Sequence, residues 1–227
     1  MKEQFEQAIF ENPQDASNFA VYADWLQEQG DPRGEFIQFQ LSLEDRKRPK
    51  EERDALRGRE AALLDEHAWE WLGSLASLLL QQDEATGKIE KRRGFDFWFT
   101  RGWLGTIRTE RLYPRVAERI AEAPEARLLD TLIIGRNGDE ACSTLENLDL
   151  VSRLIELDLS RTQMTNSGVW ALLRCEGVRD LKYLDVSDNL ILPNGIEALL
   201  NQVPHASVDD QVEADEDDDE HFDGIRE

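Results

Sequence analysis

The chain has 227 residues, of which 40% are apolar, and its formal net charge is −22. This length is sufficient for one elongated domain, or for two small ones, with a buried core. The acidic charge repels phosphates and disfavours direct binding to DNA or RNA. No apolar stretch approaches the ~20 consecutive residues that a membrane helix requires, so we expect neither a nucleic-acid nor a membrane partner.

The first residues and the cysteines both bear on the cellular compartment. Residues 1–6 carry acidic side chains where a secretory signal has an apolar stretch. Cys142 and Cys175 form no CxxC pair, and the three histidines lie far from them in sequence. We therefore expect a cytoplasmic protein with two unpaired thiols, no metal site and no cofactor.

Residues 1–92 show the apolar i, i+3, i+4 spacing of successive helices. Gly30 is placed to end the second helix, and Asp31 and Pro32 are placed to cap and open the third. The charged stretch 44–53 contains a proline and predicts an exposed loop before a fourth helix. The first part of the chain is therefore predicted to be helical.

The composition changes near residue 94, where aromatic and β-branched residues become frequent. Residues 95–99 and 103–109 are separated by Arg101 and Gly102, which predicts a strand, a tight turn and a second strand. Helix-like and strand-like pieces then alternate, with a helix over 114–123 and a strand over 129–134.

An internal repeat is the most informative feature of the sequence. The pattern L-x-x-L-x-L at 154–159 recurs at 181–186 and at 129–134, and less clearly at 104–109, so the period is 25 to 27 residues. A polar residue follows each of three units, three positions after the last apolar one: Asn137, Thr162 and Asn189.

The pattern resembles the leucine-rich repeat, and its period is similar to that of the helix-containing, ribonuclease inhibitor-like subtype. The resemblance implies an α+β or α/β solenoid of three to four units with parallel strands, in which each unit buries its apolar face against its neighbours. Separate βα units of a doubly wound sheet are the alternative. The apolar–polar alternation of the strands argues against it, because doubly wound strands are apolar on both faces.

A second resemblance covers the helical part. Residues 22–37 read YADWLQEQGDPRGEFI and resemble the hallmark of the short bacterial repeat-companion domain, which often precedes leucine-rich repeats. This resemblance implies a helical repeat-companion region at 1–92 and a leucine-rich-repeat solenoid at 93–205. The run of acidic residues at the end of the sequence predicts an acidic disordered tail at 206–227.

Some charged residues have two possible roles at the helical corner, the predicted turn around Gly30 between the second and third helices. Asp24 and Arg33 are placed to pair across the corner, and Glu35 lies beside them in sequence. We favour a structural role for all three. A catalytic or regulatory site in the cleft between the helical part and the repeats is the alternative, and convergence of these residues with His67 in one pocket would favour it.

The repeat also predicts a binding face. Strand residues between the leucines of such a repeat point to the concave face, so Thr106, Thr131, Glu156 and Tyr183 form one predicted row. Arg108, Ile133, Asp158 and Asp185 form the next, with Gly135, Ser160 and Ser187 beyond it. Asp158 and Asp185 then lie side by side, and like charges at adjacent positions are destabilising unless they are offset. The two candidates for offsetting the charge of these aspartates are Arg161 from within the chain and a basic partner from outside.

We therefore expect a non-catalytic protein–protein interaction module that binds a basic protein partner. The candidate partner-binding residues are acidic except for one arginine and one tyrosine, the latter being a residue type enriched at binding hot spots. Lysine at Asp158 and Asp185 is expected to weaken binding without lowering the melting temperature. The alternatives are a subunit or regulator of an enzyme, and a purely architectural role in which the repeats serve as a spacer. The candidate residues are Glu156, Asp158, Arg161, Tyr183 and Asp185.

Overall fold

The computed structural model describes residues 1–212 of the chain. The first part is helical, as the apolar spacing predicts. The carboxylates of Asp15 and Asp31 cap the second and third helices by accepting from the Ser17 and Arg33 amides at 2.9 Å, which satisfies amides that a helix start leaves open. The helices are α1 (Lys2–Glu11), α2 (Ala16–Glu28), α3 (Pro32–Glu44) and α4 (Lys50–Leu72).

Two details of the helical part differ from the sequence prediction. The loop expected over 44–53 is shorter, because α4 already begins at Lys50. The region up to residue 92 is also not entirely helical, since a small antiparallel hairpin follows α4. Asp83 accepts hydrogen bonds from the Thr86 amide and hydroxyl and fixes the hairpin turn. The elements are α5 (Ala76–Leu79), β1 (Leu80–Gln82) and β2 (Ile89–Lys91).

The second part is a mixed α/β arrangement around a five-stranded, mostly parallel sheet. The predicted strand–turn–strand is present as an antiparallel hairpin of β3 (Phe95–Thr100) and β4 (Trp103–Arg111). Three further strands are parallel to β4, and the strand order is the chain order, β3-β4-β5-β6-β7. The remaining elements are β5 (Thr131–Arg136), β6 (Glu156–Asp158), β7 (Tyr183–Asp185), α6 (Pro114–Glu122), α7 (Gly138–Leu145), α8 (Asn166–Leu172) and α9 (Pro193–Gln202).

The repeated leucines form the core between this sheet and its helices. Leu132, Leu157 and Leu184 occupy one register row of the parallel strands, and all three are buried in one apolar cluster with side chains of α6, α7, α8 and α9. The prediction that these strands are neighbours in one parallel sheet is therefore confirmed. Burial of the alternate strand positions leaves the intervening positions on the opposite face of the sheet.

A polar side chain ties the turns after β6 and β7 together. Asn189 is buried, and its Oδ1 accepts from the amides of Thr162 at 3.0 Å and Met164 at 2.9 Å. Its Nδ2 donates to the carbonyls of Leu159 and Val186, both at 2.9 Å. One side chain thus satisfies backbone groups that both strand ends leave open.

The helical part is attached to the sheet at the β3–β4 turn. The buried Gln40 donates from Nε2 to the Phe99 carbonyl at 2.8 Å, and its Oε1 accepts from the Gly102 amide at 2.6 Å. Arg33 donates to the Gly102 carbonyl from Nε at 3.0 Å and from Nη2 at 2.8 Å, and its guanidinium lies 4.6 Å from the ring centroid of Trp103. Arg33 therefore has a structural role in joining the two parts.

The acidic tail was predicted from residue 206, but the polypeptide over 206–212 packs against the last strand. Ala206 is buried, and Ser207 pairs with Asp185 as a parallel bridge. Gln211 donates from Nε2 to the Val186 carbonyl at 2.9 Å. The first seven residues of the predicted tail thus belong to the folded part, and the remainder, 213–227, lies outside the described residues.

Both cysteines are free and buried, as the absence of a pairing pattern predicts. Burial raises the pKa of Cys175 to about 11 and also raises the pKa of Cys142. Because the thiolate is the reactive form and a raised pKa keeps both thiols protonated at pH 8, we expect no fast reaction of the native protein with dithionitrobenzoate at that pH. Two equivalents should react after denaturation. Rapid release of one equivalent from the native protein would contradict the burial.

Candidate functional site

The outward positions of the five strands form one continuous surface, which we call the exposed sheet face. Strand pairing aligns its side chains in two rows that cross all five strands. The first row is Trp98, Thr106, Thr131, Glu156 and Tyr183, and the second is Asp96, Arg108, Ile133, Asp158 and Asp185.

The register of the parallel strands reproduces both rows that the repeat predicts. The antiparallel strand β3 adds one residue to each, and Trp98 was missed because the repeat pattern does not extend into that strand. Its side chain is 45% exposed, and Tyr183 at the other end of the row is 64% exposed. The alternation of Phe95–Thr100 is a signal that places Trp98 outward, but a β-bulge between Trp98 and Phe99 shifts the register, so counting from the turn at Gly102 would have paired Trp98 with Gly105 instead of Thr106.

Asp158 and Asp185 are direct neighbours in the second row, as predicted. Each carboxylate also has a local role, because Oδ1 of Asp158 accepts from the amide and hydroxyl of Ser160 at 2.9 and 2.7 Å. Asp185 makes the same two bonds to Ser187 at 2.9 and 2.6 Å. Lysine at either position would remove both bonds, which argues against the expectation that charge reversal leaves the melting temperature unchanged.

Arg161 does not neutralise this pair of aspartates. Its Nε lies 3.0 Å from Oδ2 of Asp188, and its side chain is 80% exposed. Within residues 1–212, no lysine or arginine nitrogen lies within 4.0 Å of the Asp158 or Asp185 carboxylates. Arg161 was one of the two predicted sources of positive charge for Asp158 and Asp185. It is paired with Asp188 instead, on a turn beside the exposed sheet face.

Three of the five predicted partner-binding residues meet at a cavity at the β7 end of the exposed sheet face. The cavity has a volume of about 310 Å³, and Glu156, Tyr183 and Asp185 contribute to its wall together with His205. His205 is held by a 2.6 Å hydrogen bond between Nε2 and the Leu181 carbonyl. Sequence reasoning missed His205 because it follows the last repeat unit and belongs to no pattern.

The charged residues of the helical corner do not come together in one pocket. Asp24, Arg33, Glu35 and His67 each have a different partner, and the predicted Asp24–Arg33 pair is absent. The sequence predicts the Asp24–Arg33 pair because both residues lie close to the helical corner, but the Arg33 side chain is directed towards the sheet. Asp24 contacts Gln38, and Arg33 contacts the Gly102 carbonyl. Glu35 pairs with Arg59, and His67 stacks on the ring of Trp71.

A second cavity does lie between the helical part and the sheet, although other residues form it. It has a volume of about 390 Å³ and is bounded by the α1–α2 connection, the β3–β4 turn and the segments that precede β5 and β6. Arg101, Arg127 and Arg153 contribute to its wall, together with Asp130 and Glu44. Burial raises the pKa of Asp130 above its ordinary range.

Residues 1–212 contain neither a metal-binding cluster nor a membrane-spanning helix. In that part of the chain, no group of three or more His, Cys, Asp or Glu side chains is arranged to hold a metal ion. None of its helices combines the length and apolar character needed to cross a bilayer. Comparison of the chain with protein-family models, with curated proteins and with solved structures returns no match.

Proposed function

We propose that this chain is a non-catalytic module that binds a basic protein partner through the exposed sheet face. The observation that carries the proposal is the alignment of two exposed aromatic residues, Trp98 and Tyr183, in one row with an acidic residue between them. Aromatic side chains on an exposed, polar-rimmed surface are typical of protein interaction sites. The helices cover the opposite side of the sheet.

In this proposal the architecture is a leucine-rich-repeat solenoid preceded by a repeat-companion region, and the exposed sheet face is its concave face. The 25- to 27-residue period, the parallel strands in chain order and the buried Asn189 turn support this assignment. The Arg33 and Gln40 contacts with the β3–β4 turn attach the N-terminal region to the sheet, as expected for a domain that accompanies the repeats.

The charge of the exposed sheet face supports a basic partner. Its two rows hold four carboxylates, from Asp96, Glu156, Asp158 and Asp185, and one guanidinium, from Arg108. Asp96 is paired with Lys91 at 3.1 Å, which leaves three carboxylates near β6 and β7. An acidic surface on a chain of net charge −22 attracts a basic protein and accelerates its association.

Glu156 offers the cleanest test of this face. Within residues 1–212, its carboxylate makes no hydrogen bond or ion pair, so Glu156→Lys removes an acid from the face without breaking an internal contact. Tyr183→Ala removes the exposed aromatic side chain. We expect each substitution to weaken partner binding by about tenfold or more, the effect of losing about 1.4 kcal/mol or more at a hot spot, and to leave the melting temperature unchanged.

The measurement is a titration of a captured partner against the full chain by surface plasmon resonance, at low and high salt. Glu118→Lys is the matched control, because Glu118 is exposed on α6 on the helix-covered side of the sheet. The control should bind as the parent chain does, and the association rate of the parent should fall as salt increases. Equal losses for Glu156→Lys and Glu118→Lys would place the interface elsewhere.

The alternative function, a subunit or regulator of an enzyme, is favoured by one observation. The 390 Å³ cavity lies in the cleft between the helical part and the sheet, where this alternative expects a site. Its volume is in the range of pockets that hold small ligands or single peptide side chains.

A further inference from the structure

The cavity between the helical part and the sheet combines an apolar surface with positive charge. Phe10 and Phe19 from the first two helices, and Leu128 and Ile155 from the segments before β5 and β6, supply apolar surface. Three guanidinium groups and two carboxylates also contribute to the wall. A lining with more bases than acids is unusual in a chain that has 26 basic and 48 acidic residues.

Two of the three guanidinium groups have no carboxylate partner among residues 1–212. Arg127 lies 3.8 Å from the ring centroid of Phe10 and makes no side-chain hydrogen bond in that part of the chain. Arg153 donates to the carbonyls of Asp149 at 3.1 Å and Ala121 at 2.9 Å. These contacts hold Arg153 at the wall but do not neutralise its charge.

The third guanidinium, that of Arg101, is already paired with a carboxylate. Arg101 makes a two-pronged contact with Glu44, with distances of 2.6 Å from Nε and 3.0 Å from Nη2. The other carboxylate of the cavity, Asp130, makes a 2.9 Å hydrogen bond with the Thr131 hydroxyl and no ion pair within residues 1–212. Among the described residues, the unpaired charges of the cavity are therefore the guanidinium groups of Arg127 and Arg153 against the single carboxylate of Asp130, an excess of one positive charge beside an apolar surface.

We propose that this cavity binds an acidic peptide segment in which carboxylates alternate with aromatic or aliphatic side chains. An apolar side chain of the peptide fills the space between Phe10 and Ile155, and a neighbouring carboxylate accepts from the Arg127 guanidinium. Charge complementarity selects this occupant, since Arg127 offers all its donors and carboxylates are the anions that a guanidinium binds in two-pronged geometry. The site is separate from the exposed sheet face and takes a ligand of opposite charge.

Fluorescence anisotropy with the full chain tests the proposal. The probe is a fluorescein-labelled pentapeptide of alternating glutamate and phenylalanine, and the control peptide has glutamine in place of glutamate. We expect saturable binding of the acidic peptide with a Kd below about 1 mM. Arg127→Gln should weaken it by about tenfold to a hundredfold or more, because glutamine lacks the charge and the two-pronged donor geometry of the guanidinium.

Two control variants separate this site from the rest of the molecule. Arg115→Gln removes an exposed arginine of α6 that makes no ion pair within residues 1–212, and it should leave peptide binding unchanged. Glu156→Lys on the exposed sheet face should also leave it unchanged, whatever its effect on a basic partner.

Three results would overturn the proposal. They are the absence of saturable binding to the parent chain, equal binding of the glutamine peptide, and equal losses for Arg127→Gln and Arg115→Gln. A labelled single-stranded oligonucleotide is titrated in parallel. If Arg127→Gln abolishes oligonucleotide binding while the acidic peptide does not bind, the cavity recognises phosphates and the peptide assignment is wrong.

Discussion

Replacing Asn189 by alanine is expected to destabilise the protein by about 3–5 kcal/mol, because buried backbone groups would lose the one side-chain acceptor that they have within residues 1–212. The amides of Thr162 and Met164 donate to Asn189 Oδ1, and each buried amide left without an acceptor costs about 1–3 kcal/mol. The carbonyl of Leu159 also loses a donor. For a chain of this length the melting temperature should fall by on the order of 10 °C, measured by circular dichroism.

Asn137 provides the matched control for this prediction, since it occupies the equivalent turn of an earlier unit. It is only half-buried, and its Nδ2 donates to Glu140 at 2.8 Å and to no backbone carbonyl within residues 1–212. Asn137→Ala therefore removes no side-chain bond to the backbone in that part of the chain, and it should cost only about 1–2 kcal/mol, the effect of placing alanine at a φ of +56°, in the left-handed region. Similar losses for the two variants would show that the turn network contributes little to stability.

The position of Asn189 also shows why much of the sheet could be predicted from the sequence. A short repeat places equivalent residues of successive units at equivalent positions, so the 25- to 27-residue period defines strand order and register together. The rows through Glu156 and Tyr183 and through Asp158 and Asp185 follow from that period alone. The same reasoning stops at Trp98, because β3 is antiparallel and lies outside the repeat.

Contacts between distant segments were beyond the sequence argument. Arg33 and Gly102 are 69 residues apart, and nothing in the local pattern distinguishes a bond between them from the predicted pair of Arg33 with Asp24. The hydrogen bonds of Asp158 and Asp185 to nearby serines were missed for a different reason. The residues were considered as charges on a face, although Asp-x-Ser sequences also form local turns. The arginine-lined cavity depends on the packing of both parts and has no sequence pattern.

Gly102→Ala is expected to destabilise the protein by about 3 kcal/mol, because this glycine is the point at which the helical part meets the sheet. Its φ of +83° lies in the left-handed region, which costs other residues about 1–2 kcal/mol. A Cβ at this position would also collide with Cγ1 of the buried Ile37 and lie 2.9 Å from its Cδ1. Overpacking of this kind adds about 1–3 kcal/mol. Relief of the collision would move the turn away from α3 and strain the bonds that Arg33 and Gln40 make with it.

Gly30→Ala separates the steric effect from the backbone effect, because Gly30 has a similar φ of +73° and an added Cβ would meet no atom within 4 Å. This control should lose only about 1–2 kcal/mol, and urea denaturation of both variants gives the difference directly. If Gly102→Ala is no more destabilising than Gly30→Ala, then the close contact of residue 102 with Ile37 does not fix the helical part against the sheet. The helical part would then be able to shift against the sheet, and the cavity that contains Arg127 would have no fixed shape. A larger loss for Gly102→Ala, with Gly30→Ala retaining peptide binding, would instead show that the β3–β4 turn holds the walls of that cavity in place.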